Sequence, residues 1–204
     1  MSEFTVKKDA VSEFYEKRSR FIGHAFFVTT EEEAQAKIGE VKAKYPDATH
    51  NCFAYNLRRF SQRRFSDDGE PQGTAGLPIL TAIDNNGIVD CCIVVTRYFG
   101  GTLLGAGGLV RAYTKAAVSA LEEAGRAEIV PVVTFTAEFP YDRQGRIKTL
   151  LSKTDATDIK EDYGQNIVLT ATMAKDDFYG FENSVKQYFY DQHFTIVCEK
   201  NGRR

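Results

Sequence analysis

Residues 89–99 contain an unbroken apolar run, Cys91-Cys92-Ile93-Val94-Val95. A strand with one wet face alternates polar and apolar residues. A continuous run instead predicts a central strand buried on both faces. Cys91 and Cys92 are neighbours in it, so their side chains must point to opposite faces. Five glycines follow, Gly100, Gly101, Gly105, Gly107 and Gly108. Beyond them a helix starting at Leu109 carries Leu109, Tyr113, Ala116, Ala117, Ala120, Leu121 and Ala124 in one stripe, with Gly125 placed to end it.

The flanking segments supply the rest of an α+β unit. Residues 11–28 alternate and carry Phe14, Tyr15, Phe21, Ile22, Phe26 and Phe27, which predicts one or two strands. Thr30-Glu31-Glu32-Glu33 is a capping box for a helix with Ala34, Ile38, Val41 and Tyr45 inward, stopped by Pro46. Residues 50–57 alternate again as a strand. Residues 58–76 are polar and rich in turn residues, which predicts mostly surface loop. A short helix over 77–83 and a turn at Asn85-Asn86-Gly87 lead into the apolar run.

After Ala127 the pattern restarts: a strand over 132–139, a helix over 142–153, strands over 157–163 and 167–174, a helix over 176–190 and a strand over 194–198. This βαββαβ order is the ferredoxin-like pattern. The 204 residues therefore divide into an N-terminal domain, 1–127, and a C-terminal ferredoxin-like domain, 128–204.

Composition excludes several classes. A net charge of -2 gives no global field for polyanions, so any nucleic-acid site must be a local patch. No apolar segment approaches the roughly 18 residues of a membrane span, and the N-terminus lacks the basic-then-apolar order of a secretory leader. The four cysteines, Cys52, Cys91, Cys92 and Cys198, form no CxxC and no ladder of spacings. Buried reduced thiols and a cytoplasmic location are expected, with no cofactor and no metal site.

Three segments could carry chemistry, all in the first domain. Gly100, Gly101, Gly105, Gly107 and Gly108 let backbone amides approach an anion at a helix start. Arg97 stands before the loop, and Arg111 and Lys115 follow it one helical turn apart. The loop matches neither a P-loop nor a dinucleotide fingerprint, and glycines serve close packing equally well. Arg58, Arg59, Arg63 and Arg64, interleaved with Phe60 and Phe65, could pair phosphates and stack on bases, although acids follow directly downstream. Asp67, Asp68 and Glu70 could hold a cation or act as acid and base, yet Asp-Asp-Gly-Glu-Pro is also what an ordered acidic turn looks like. His24, His50 and His193 form no HxxxH or HxH, and no nucleophile elbow is present.

Ser66-Asp67-Asp68-Gly69-Glu70-Pro71, then Gly73-Thr74-Ala75-Gly76, resembles the IMPACT (YigZ-type) family. So does the stretch from Gly87 to Arg97-Tyr98-Phe99-Gly100-Gly101-Thr102-Leu103-Leu104-Gly105. The resemblance spans about residues 15–125, and residues 132–198 are similar to the smaller C-terminal domain of bacterial two-domain members. It implies a first domain like that of a small-subunit ribosomal protein and of elongation factor G domain IV. It implies a second domain like the ferredoxin-like C-terminal domain of elongation factor G. Eukaryotic relatives damp a starvation-sensing kinase acting on initiation factor 2 by competing for its ribosome-bound activator. They do so with an extra N-terminal domain, and this chain starts directly at the shared one, so that contact is not expected of it. The resemblance brings no catalytic residues.

The expectation is thus a translation-linked regulator or accessory factor that binds RNA, the ribosome or a ribosome-associated protein. No membrane is involved, and no preference for DNA can be inferred. Two alternatives stay open: an enzyme acting on a phosphorylated small molecule through the glycine loop and Asp67, Asp68 or Glu70, and a protein–protein module without nucleic acid.

Overall fold

The computed structural model describes residues 3–203, and for Phe60, Lys200, Asn201 and Arg203 the backbone only. The chain divides into two compact units, the first ending at Glu128 and the second beginning at Ile129. In the first, β1 (Phe4–Val6), β2 (Ala10–Glu16), β3 (Ser19–Phe27), α1 (Glu31–Lys44), β4 (His50–Leu57), β5 (Gln62–Ser66), α2 (Gly76–Asn85), β6 (Cys91–Tyr98) and α3 (Ala106–Ala124) follow in order. Its sheet runs β2-β3-β6-β4-β5, with every neighbouring pair antiparallel.

β6 is central and covered on both faces, which is why its sequence is apolar without alternation. Cys91, Ile93 and Val95 pack with Ile79 and Ile83 of α2 and Tyr113, Ala116 and Ala120 of α3. Cys92 and Val94 face the other way, against Ala34, Ile38 and Val41 of α1. The adjacent cysteines therefore belong to two different cores, and burial pushes both thiols up, keeping them neutral. The alanine stripe lets α3 approach the sheet closely. At Gly23 of β3 an added Cβ would lie 2.6 Å from the Ala116 carbonyl oxygen, so that crossing requires glycine.

The capping box forms with a variation. The Glu33 amide donates to Thr30 Oγ1 at 3.2 Å, whereas the Glu33 carboxylate takes the amide of Thr29 at 2.7 Å, one residue before the cap. β1 pairs antiparallel with Arg126, Ala127 and Glu128, the first residues of β7 (Arg126–Phe139).

The second unit continues with α4 (Gln144–Leu151), β8 (Thr157–Tyr163), β9 (Ile167–Ala174), α5 (Lys175–Lys186) and β10 (Phe194–Arg203). Its antiparallel strands run β10-β7-β9-β8, the unit's fourth, first, third and second. Phe135 centres the core, with ring centroids 4.9 Å from Phe178, 5.8 Å from Phe181 and 5.7 Å from Phe194. The protein is thus mixed α+β, with two sheets and, among the described residues, five α-helices.

Four expectations need correction. Residues 58–76 are not mostly surface loop: 62–66 form the edge strand β5, and Glu70, Thr74, Ala75 and Gly76 are buried. An edge strand tolerates charge on its wet positions, so it carries no apolar signature. α3 begins at Ala106 rather than Leu109, taking Gly107 and Gly108 into its first turn. α5 stops at Lys186 rather than 190, and β10 extends to Arg203 because its polar end pairs with residues 129–133 of β7.

Candidate functional site

The acidic turn is drawn onto the sheet by backbone and side-chain donors. Asp67 Oδ1 accepts from the amides of Ala75 and Gly76 at 3.0 and 2.8 Å, and its Oδ2 from Gly73 at 2.9 Å. α2 has no cap from its own N-cap residue, Ala75, so Asp67 serves the orphan amides and the positive helix end from outside. Asp68 adopts a positive φ of 45°. Its Oδ2 accepts from the Asn51 amide at 2.7 Å and its Oδ1 from Lys42 Nζ at 2.9 Å, tying β4 to α1. The Asp68 carbonyl oxygen is 2.8 Å from His50 Nδ1, so that nitrogen carries its proton.

Glu70 is the buried centre. Its Oε1 accepts from Arg97 Nη1 and from the Tyr113 hydroxyl, each at 2.7 Å, while Oε2 stands 3.8 Å from His50 Nε2. Only 3% of the Glu70 side chain and 6% of the Arg97 side chain are exposed, so each charge depends on the other. The Arg97 guanidinium lies between the rings of Phe21 and Phe99, at 5.7 and 5.5 Å, with its Nη2 3.4 Å from Ser19 Oγ. Arg97 Nε is buried without a hydrogen-bond partner. Cys52 Sγ is 3.4 Å from the Tyr113 hydroxyl and 2.9 Å from the Asp67 carbonyl oxygen. Burial pushes its thiol up to about 12, so it is a protonated donor and not a nucleophile. Burial likewise raises the Tyr113 hydroxyl well above its usual value, keeping it a donor to Glu70.

The three segments singled out in the sequence therefore stand in different places. Asp67, Asp68 and Glu70 each hold protein donors, and among the described residues no three His, Cys, Asp or Glu side chains are grouped to hold a metal ion. Arg97 joins the acidic turn rather than the solvent side of the glycine loop. Arg58 donates to Glu3 at 2.7 Å and stands 3.5 Å from Asp90; Arg63 is 3.3 Å from Asp84 and Arg64 3.5 Å from Glu31. Arg59 is exposed beside them. Phe65 is exposed, and the side chain of Phe60 lies outside the described residues.

The glycine loop opens outward. Gly101 and Gly105 take φ of 82° and 72°, which only glycine adopts freely, and nothing lies within 4 Å of an added Cβ at either. Gly100 is different: its Cβ would lie 2.0 Å from the Arg18 carbonyl carbon, because the β2–β3 turn presses on the loop there. No side chain caps α3 at Gly105. Arg111 and Lys115 are exposed on α3, and Lys115 Nζ sits 4.4 Å over the Phe14 ring of β2. Lys17 and Arg18 are exposed in the β2–β3 turn, whose Arg18 backbone meets the loop at Gly100. Among the described residues no carboxylate is in ion-pair reach of Lys17, Arg18, Arg111 or Lys115. Phe99 and Leu103 are exposed at 45% and 82% beside them. Lys17 and Arg18 were missed in the sequence, where they fell inside the stretch 11–28 read as one or two strands.

A five-stranded antiparallel sheet, covered by helices on both faces and pinned by a buried Glu–Arg pair, thus presents a glycine loop between unpaired cations. The model of the Impact N-terminal domain matches residues 17–121, which contain the buried pair, the acidic turn and the loop. The chain belongs to the IMPACT family. It is 40% identical over 167 residues to the IMPACT family member YvyE of Bacillus subtilis, covering 81% of this chain and 77% of that one. To the IMPACT family member YigZ of Escherichia coli it is 37% identical over 160 residues, covering 77% and 78%. A crystal structure described as that of a hypothetical protein, 30% identical, matches with a TM-score of 0.61 over 98% of both chains.

Proposed function

We propose that this IMPACT-family chain is a cytoplasmic, translation-linked regulator or accessory factor whose first unit binds RNA, most directly RNA of the ribosome. The observation carrying this reading is the contrast between two basic segments. Arg58, Arg63 and Arg64 stand beside carboxylates, whereas Lys17, Arg18, Arg111 and Lys115 have none in ion-pair reach among the described residues and flank an open glycine loop at an uncapped helix start. Phosphates would meet cations and backbone amides there, and Phe99 offers an exposed ring for a base. The link to translation comes from the family resemblance. On this reading the first unit is like the ribosomal-protein and elongation factor G domain IV fold, and the second is ferredoxin-like, in keeping with its strand order. Asp67, Asp68 and Glu70 then act by holding the loop against β6 and α3, not by catalysis.

Co-sedimentation with ribosomes and separated subunits at several salt concentrations tests this. Four cations on four phosphates give a slope of about -3 in log affinity against log salt. Replacing Arg111 and Lys115 by alanine is expected to halve it. No binding at low salt, or an unchanged slope in that variant, refutes the reading.

A further inference from the structure

The arginine strand is left without a role by that reading, and its geometry suits a different partner. Among the described residues β5 is the last strand of its sheet, paired with β4 on one side. Its register places Phe65 opposite Ala54 and Arg64 opposite Tyr55. Ala54 faces the α2 and α3 core and Tyr55 the α1 core. Arg63 and Phe65 therefore emerge on the α2 side of the sheet and Arg64 on the α1 side, as their neighbours Asp84 and Glu31 require. Phe65 on the α2 side is 46% exposed, as is Leu77, the two being the chain neighbours of Ser66 and Gly76, whose backbones pack on each other.

We propose that β5 is a docking edge to which an extended, acidic peptide segment of a partner protein adds as a sixth strand. An open edge offers main-chain N–H and C=O groups in the spacing of another strand. Arg63 and Arg64, 55% and 62% exposed, keep donors free beyond their single carboxylate neighbours and would take acidic side chains on the two faces. An apolar residue of the same segment falls on Phe65 and Leu77. A nucleic acid fits less well, because the two guanidinium groups sit on opposite faces of the strand, where one phosphate backbone does not meet both. A second copy of this chain fits less well too, since antiparallel β5 pairing would set arginine against arginine.

Fluorescence anisotropy of the full chain with a labelled peptide repeating Glu-Glu-Val, which sets glutamate on both faces of an extended strand, tests the proposal. Saturable binding is expected, weakened about tenfold or more by N-methylation of alternate peptide amides, and likewise by R63E/R64E. R63E/R64E should in turn gain affinity for the lysine–valine counterpart. Hydrogen exchange on the bound complex should slow amides within residues 62–66, a readout independent of the variants. The proposal is overturned by equal binding of the N-methylated peptide, by indifference to R63E/R64E, or by protection confined elsewhere. It is equally overturned by displacement of the peptide by single-stranded oligouridine, or by no binding up to about 1 mM peptide.

Discussion

Replacing Glu70 by glutamine removes one charge from a pair that water does not reach. The amide keeps the shape and still accepts from Arg97 Nη1 or the Tyr113 hydroxyl, but the guanidinium between Phe21 and Phe99 is left without a counter-charge. Breaking a buried pair by neutralising one partner costs about 3 kcal/mol or more, because the remaining ion stays desolvated. For a unit of this size that corresponds to a fall of roughly 10 °C in Tm. Urea unfolding at neutral pH measures it, and the double variant Glu70→Gln, Arg97→Met supplies the control. Removing both charges should recover a large part of the loss, giving a coupling of about 2 kcal/mol. A Glu70→Gln variant within about 0.5 kcal/mol of the parent, or a strictly additive double variant, refutes the claim that the two charges depend on each other.

Gly23→Ala should destabilise by about 2–3 kcal/mol in the same assay, since the new methyl group meets the Ala116 carbonyl oxygen at 2.6 Å. Asp67→Ala should cost about 2 kcal/mol, because the amides of Gly73, Ala75 and Gly76 lose their acceptor at once. His24 is buried, and burial, with Lys44 nearby, lowers it to about 4 from its ordinary 6.5. The unfolded chain therefore takes up this proton first: stability from the neutral ring is fully present above pH 6.5 and is lost progressively down to pH 4, by up to about 3 kcal/mol. His24→Phe removes that component, so the stability difference between parent and variant should change steadily between pH 7 and 4.5; a constant difference contradicts it.

How much of this could be read from the sequence depended on whether the signal was local. The apolar run 91–95 announced a strand covered on both faces, and the stripe from Leu109 to Ala124 announced the helix that covers one of them. β5 was hidden because an edge strand's side chains meet water, so its residues read as loop. The buried pair was hidden because Glu70 and Arg97 are 27 residues apart, and each alone looks like a surface charge. One clue was present: Arg97 stands two residues beyond the apolar run 91–95, still within its strand, where a charge needs a partner. Lys17 and Arg18 acquire meaning only through the close approach of Gly100, a contact 82 residues away from Arg18 in sequence (100 − 18). The polar end of β10 is similar, since its place is fixed by pairing with β7 and not by its own composition.

The acidic turn also sets an order of events during synthesis. Asp67 finds its amides within nine residues, so its cap on α2 can close early. Glu70 has to wait for Arg97 and then for Tyr113, 43 residues downstream. A nascent chain ending before Tyr113 holds the whole motif yet carries a carboxylate with nowhere dry to go. The burial of Glu70 therefore cannot be completed until α3 has emerged, however early the Asp67 cap closes.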